Sequence, residues 1–276
     1  MNTTAKAPGP APAGTAPAAR LQALIFDVDG TLAETERDGH RPAFNAAFAD
    51  AGLPWQWDEA LYGRLLEVTG GKERIRAYVE RHGGRLPAGT DAGAFIPELH
   101  RAKNVHFARI LEAGGIPLRP GVLRLFREAR AAGVRLAIAT TTSPENLDAL
   151  LRRHLGPGWR DWFAAVGAGD VVPAKKPAPD IYLRVLDELG LPAGACAAIE
   201  DSRPGYEAAR AAGLCTVVTV SSYTRDQSFP GAALVVDHLG EPDRPCRVLA
   251  GAPTDIRLVD LDAICRACGL RCPAAA

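Results

Sequence analysis

Leu21-Gln22-Ala23-Leu24-Ile25-Phe26-Asp27-Val28-Asp29-Gly30-Thr31-Leu32 changes character at its midpoint. Leu21 to Phe26 is a short apolar run of the kind that fills a parallel strand covered on both faces. It then breaks into two acids and Gly30, as expected where such a strand opens at its carboxyl end into a polar loop. Further runs of this kind are Val134 to Ser143, Ala195 to Ser202, Leu214 to Ser222 and Ala233 to Asp237, with a shorter strand around Phe163 to Val166. Helical patterns lie between them: Gly121 to Ala132, Ser143 to Leu155, Pro179 to Leu189 and Gly205 to Ala212. Gly133, Gly190 and Gly213 follow three of these, where a helix can end in a left-handed cap. Strand, helix, Gly, strand is the rhythm of an α/β doubly wound parallel sheet.

Between Glu34 and about Pro117 the rhythm stops. PAFNAAFADAGL, WDEALYGRLLEVTG, GKERIRAYVERHGG and FIPELHRAKNVHFARILEAGG read as helices, with no buried strand among them. The expectation is an all-helical cap over 37–116, inserted into a sheet domain made of 21–36 and 117–250. An insert at that place would cover the carboxyl ends of the strands, where such sheets bind ligands. Residues 1–20 are mostly Ala, Pro, Gly and Thr and are expected to stay mobile. Residues 251–276 are expected to extend the sheet domain at its C-terminus, and Cys246 to Gly269 to add a strand or hairpin and a short helix.

Charge and composition exclude several classes. Lys and Arg number 32, matched by 32 Asp and Glu, so nothing favours nucleic acid as a partner. No run approaches the roughly 18 apolar residues of a membrane span, and the N-terminus has no basic stretch followed by an apolar core. A cytoplasmic monomer acting on a small molecule is expected. Six cysteines in a chain this long do not suggest a disulfide scaffold. Cys265, Cys268 and Cys272, at offsets of three and four, would share one helix face as small packing residues; a zinc site would want a fourth ligand such as Cys246.

Asp27 and Asp29 are separated by one residue, so a strand's two-residue period sends both carboxylates the same way. Such a pair is weak evidence alone, and Asp260 and Asp262 in VDLDA show how it occurs without chemistry. Here it follows an apolar strand, and three compatible groups come at later strand ends. Thr140 closes RLAIAT and offers a hydroxyl to a phosphoryl oxygen. Lys176 in AKKPAPD supplies a fixed ammonium to neutralise phosphate and nucleophile. Glu200 and Asp201 follow ACAAI and suit a hard, oxygen-ligated cation, for which carboxylates with phosphate favour Mg²⁺.

DVDGTL, the Thr140 strand, KKPAPDIY and IEDSRPG together resemble the four ordered motifs of the haloacid dehalogenase superfamily, in the subgroup with a helical cap after the first motif. The likeness spans residues 21 to 240. Within that superfamily, FDVDGTLAETERDGHRPAFN, TGGKERI, LRPGV, IATTTSPENL, AGDVVPAKKPAPDIY and YTRDQSF are similar to the CbbY-like group, found beside Calvin-cycle genes. The resemblance implies a phosphatase that takes one phosphate from xylulose 1,5-bisphosphate and leaves xylulose 5-phosphate. It implies Asp27 as nucleophile, Asp29 as acid and base, and Thr140 and Lys176 as holders of the phosphoryl oxygens. Asp27, the Asp29 carbonyl and Asp201 would ligate Mg²⁺, with Glu200 as a direct or water-mediated partner.

A bisphosphate carries a second anion that needs its own cations, and Lys72 and Arg74 beside Gly70 and Gly71 could meet it; a plain solvated helix start is the alternative. Thr141 and Thr142, next to Thr140, join the expected substrate contacts. Arg119 in LRPGV is another candidate, against a surface ion pair. Glu34 and His40 are candidates for sugar hydroxyls, although His40 could simply pack the first cap helix. Tyr223 and Arg225 are weaker candidates. Two other functions share the motifs or the fold: a sugar-phosphate mutase similar to β-phosphoglucomutase, and a non-catalytic regulatory protein.

Overall fold

The computed structural model describes residues 18–273. Strand β1, Ala23–Phe26, is buried at all four positions and lies third in a seven-stranded sheet. It pairs in parallel on one side with β2, Arg135–Ala139, and on the other with β4, Cys196–Glu200, so Phe26 stands level with both Ile138 and Ile199. Beyond β2 lies β3, Phe163–Gly167; beyond β4 lie β5, Cys215–Thr219, β6, Leu234–Val236, and β7, Val248–Gly251. Only β7 runs antiparallel. The order therefore reverses direction at β1, and a crevice opens there at the carboxyl ends of the strands.

The strand period sorts the side chains of β1. Leu24 and Phe26 enter one apolar layer, and Ala23 and Ile25 enter the other. The first layer is closed by α5, Val122–Ala131, whose Val122, Leu125, Phe126 and Ala129 recur at helical spacing; the Phe126 ring meets Phe26 edge-on at 4.9 Å. The second is closed by α7, Asp180–Leu189, through Ile181, Tyr182, Val185, Leu186 and Leu189. Helices α6, Pro144–Leu155, and α8, Arg203–Ala211, complete the two covers.

Between β1 and α5 the chain forms α1, Arg41–Asp50, α2, Glu59–Leu65, α3, Gly71–Arg81, and α4, Ala92–Glu112. These gather around an aromatic cluster of their own that includes Phe44, Phe48, Trp55, Trp57, Tyr62 and Tyr78. The far half of α4 is different, because Phe107 and Leu111 belong to the main core. The outgoing and returning segments lie side by side, with Ala33 bridged to Leu118 and the Arg119 amide donating to the Leu32 carbonyl at 2.8 Å.

At the chain ends, the segment 1–20 expected to be mobile falls outside the described residues as far as residue 17. Residues 18–20 depart from that expectation: Arg20 bridges Arg271, whose guanidinium and amide donate to the Ala18 and Ala19 carbonyls. The C-terminal segment supplies β7 and α9, Leu261–Cys268, and packs Val259, Leu261, Ile264 and Cys265 into the main core. One disulfide was not foreseen. Cys268 is bonded to Cys215 at the start of β5, 53 residues away, so Cys268 does more than fill a helix face, while Cys265 packs as expected. Spacing within one helix carries no information about a partner that distant. Among the described residues no helix is long and apolar enough to cross a membrane.

Candidate active site

Asp27, Thr140 and Asp201 each sit one step past the end of a strand, β1, β2 and β4, and parallel pairing brings those ends within one residue of each other. Lys176 arrives from the loop between β3 and α7. Its ammonium donates to Asp27 Oδ1 at 2.6 Å, to Glu200 Oε1 at 2.6 Å and to the Ala139 carbonyl at 2.9 Å, so all three of its protons have acceptors. Glu200 is fully enclosed: Tyr182 donates to Oε1 at 2.7 Å, and the Asp201 amide to Oε2 at 3.1 Å. Its geometry is that of an anchor for Lys176. The Thr140 hydroxyl accepts from the Thr142 amide at 3.2 Å, which leaves its proton to be donated elsewhere.

Carboxylate oxygens of Asp27, Glu200 and Asp201 lie within 4.8 Å of one another, the one such acid cluster among the described residues. Burial chiefly, with Glu200 and Asp29 adding, pushes Asp27 up to about 8 despite the pull of Lys176. Burial and the charges of Asp27 and Glu200 likewise hold Asp201 well above the usual carboxylate range. Burial works to lower Lys176, but the two acids outweigh it and keep the ammonium charged. More negative charge is thus assembled than one lysine neutralises, which is the condition a divalent cation with oxygen ligands relieves. Gly30, at φ 86°, lets the loop after β1 pass against Asp201; a Cβ there would run into that carboxylate.

Asp29 has opposite surroundings. Thr35 donates to its Oδ1 at 2.6 Å and the His40 ring meets the same oxygen at 2.9 Å, while Lys103 of α4 reaches the other ring nitrogen at 2.7 Å. Burial would raise Asp29, but His40, Thr35 and Lys103 overcome it and hold the carboxyl below the usual range. Burial also takes Lys103 down to about 7, against Glu36 and Asp29.

Two cavities meet over these acids. One of about 430 Å³ is bounded by Asp29, His40, Lys72, Arg74, Lys103, Thr141, Thr142 and Asp170. The other, about 570 Å³, reaches Asp27, Lys176, Asp201 and Tyr223 and shares Asp29, Glu36, Arg74 and Thr141 with the first. Arg74 is buried, donating to the Tyr62 hydroxyl at 2.8 Å and reaching both Glu36 oxygens at 3.5 Å. Lys72 pairs with Asp170 at 2.5 Å. Gly71 backs onto His100, and a Cβ would displace that ring. Burial, then Lys103, brings His100 down to about 3, so the ring stays neutral.

Asp27, Asp29, Thr140, Lys176, Glu200 and Asp201 therefore share one floor, and His40, Gly71, Lys72, Arg74, Thr141 and Thr142 line the chamber above it. Arg119 does not: its guanidinium donates to the carbonyls of Gly30, Thr219, Val220 and Asp237, tying loops together behind the floor. That corrects the expectation of a distal-phosphate contact, because a guanidinium spent on four buried carbonyls has little left for a ligand. Glu34 is corrected in the same way, since it accepts from the Ser222 hydroxyl at 2.8 Å, faces Arg119, and borders the groove behind with Arg225. Residues not anticipated are Glu36, His100, Lys103 and Asp170. Lys103 had a signal. It continues the buried stripe Ile96, Leu99, Phe107 of α4, where a charge must have a purpose or a partner.

A haloacid dehalogenase-like hydrolase family model matches residues 21–213. CbbY encoded on a plasmid of Cupriavidus necator is 55% identical over 225 residues, covering 82% of this chain and 88% of that protein. CbbY of Rhodobacter capsulatus is 51% identical over 212 residues, covering 77% and 91%. Among solved structures, CbbY from Rhodobacter sphaeroides, seen with phosphate and, as a mutant, with xylulose 1,5-bisphosphate, is 46% identical with a TM-score of 0.74, covering 79% of this chain and 94% of that one.

Proposed function

This chain belongs to the haloacid dehalogenase-like hydrolases, among their CbbY-like phosphatases, and on that premise we propose that it is a Mg²⁺-dependent phosphatase of a small sugar bisphosphate, xylulose 1,5-bisphosphate, releasing xylulose 5-phosphate. The observation that carries the reading is Lys176, held between Asp27 and Glu200 beneath a chamber that continues to Lys72 and Arg74. One end suits the phosphate that reacts and the other a phosphate that only binds.

Asp27 attacks phosphorus as a carboxylate, forming an aspartyl-phosphate as the bond to the sugar oxygen breaks. Lys176 and the Thr140 hydroxyl balance charge on the phosphoryl oxygens. Asp29 gives its proton to the departing sugar oxygen and takes one back from the water that hydrolyses the intermediate. In the empty site Asp29 favours the carboxylate, and the arrival of a phosphate dianion raises its affinity for a proton. Asp27 and Asp201, with the Asp29 carbonyl, would hold Mg²⁺, which would draw off charge from the phosphoryl oxygens. Glu200 acts through Lys176. The helical segment 37–116 serves as the cap that controls which water reaches the intermediate.

Three supports favour xylulose 1,5-bisphosphate: the bound sugar in the Rhodobacter sphaeroides protein, the identity to CbbY proteins, and the two-ended chamber. The test is phosphate release with and without Mg²⁺ from pentulose bisphosphates, hexose bisphosphates and monophosphates, with the sugar product identified. Pentulose bisphosphate should be preferred, and EDTA should abolish release until Mg²⁺ is restored. Transfer of the phosphoryl group to a second position of a sugar, without net release, would overturn the reading in favour of a mutase.

A further inference from the structure

Four alternating charges cross the seam between the helical segment and the sheet domain. Lys72 and Glu73 lie in the first turn of α3; Asp170 and Lys175 lie in the loop between β3 and α7. Asp170 takes Lys72 on Oδ2 at 2.5 Å and Lys175 on Oδ1 at 2.8 Å, and Lys175 continues to Glu73 Oε1 at 2.9 Å. The same loop is held a second time, where the Thr69 hydroxyl donates to the Lys176 carbonyl. Lys175 is thus the residue directly before the lysine that touches Asp27, and Lys72 stands in the chamber wall.

A single exposed ion pair of this kind contributes little. Here two pairs share Asp170 and two share Lys175, so disturbing one disturbs the next. Bonds from both lysines pull Asp170 down to about 2. Gly70, at φ 95°, keeps the approach open, since a Cβ would sit 2.7 Å from the Lys175 ammonium.

We infer that Asp170 and Lys175 are positioning residues that set Lys72 in the chamber wall and tie it to the loop bearing Lys176. Lys176 keeps its own buried partners, Asp27, Glu200 and the Ala139 carbonyl, so the clasp bears on the cation for the second phosphate and not on the lysine beside the nucleophile. The inference rests on the reading of Lys72 as a partner of the substrate's distal phosphate.

The test compares Asp170→Asn, Lys175→Gln, the double variant and Lys175→Arg in the full chain. It uses xylulose 1,5-bisphosphate and p-nitrophenyl phosphate as substrates and hydrogen exchange of residues 69–76 and 169–176 as a second readout. Each neutralising variant should raise KM for the bisphosphate about three- to tenfold, with kcat and the small substrate moved less than about twofold. The double variant should cost no more than the worse single one, Lys175→Arg should behave as the parent, and both segments should exchange faster when either charge is lost. Additive losses, equal losses on the small substrate, or unaltered exchange would overturn the clasp. Should the parent fail on the bisphosphate, the substrate reading falls, and exchange still decides the clasp.

Discussion

Lys176 and Lys72 each hold a carboxylate within 2.6 Å, yet the two pairs stand in contrasting surroundings. The side chains of Lys176 and Asp27 are 3% and 10% exposed, whereas those of Lys72 and Asp170 are 34% and 55% exposed. A buried pair cannot lose a partner cheaply, because the remaining charge is stranded away from water. An exposed pair can trade its carboxylate for another anion at little cost, since water screens both states. The floor of the chamber is thus fixed by folding, while an ion pair in its wall can be lost at little cost to stability. Asp27 and Asp29 repeat the lesson at shorter range: two residues apart, one is pushed up by burial and acidic neighbours and the other drawn down by His40 and Thr35.

The most severe way to break the contrast is Asp27→Asn. Turnover should fall by at least about 10⁴-fold, as when other nucleophiles are removed, with the circular dichroism spectrum unchanged. A variant retaining a tenth of the activity would remove Asp27 from the reaction. Next in size, Lys176→Met strands Asp27 and Glu200, so urea denaturation should show a loss of about 3–5 kcal/mol without added metal. A loss below about 1 kcal/mol would mean that the floor tolerates the loss of an ion pair as the wall does.

Lys103 sharpens the contrast through pH, because it is a buried cation on the wall side. The unfolded chain keeps the lysine proton to about 10.5, and the folded protein releases it near 7. Between those values the unfolded state binds more protons, so this group's contribution to stability rises with pH; its cost is full below about 7. The stability difference between the parent and Lys103→Met should therefore shift toward the parent from about pH 7 to pH 10, and a flat difference would refute the assignment. The smallest effect belongs to Lys72→Met, which should change stability by less than about 1 kcal/mol in the same denaturation experiment.

The helices and strands of the sheet domain were legible because each buried element repeats its apolar residues at its own period, as Val122, Leu125, Phe126 and Ala129 do. The chemical floor was legible for a related reason. Asp27, Thr140 and Asp201 each terminate an apolar run, and parallel strands end together at one edge of the sheet. Lys176 could be placed by the motif it shares with the family, although nothing in local spacing says that Glu200 holds it. The aromatic cluster of α1 to α3 and the disulfide from Cys215 to Cys268 join residues whose separations follow no local period.

Sequence by itself determined the doubly wound sheet, the helical insertion after β1, and the polar strand-end groups that converge on one floor. Only the tertiary structure decided that Arg119 and Glu34 face away, that Lys103 and His40 stand behind Asp29, and that Asp170 spans two lysines across the seam. Periodicity and strand ends are properties of the chain's own local geometry, so they are written in residue order. The choice of partner for a long charged side chain depends on which remote segment arrives within about 3 Å, and folding alone settles that.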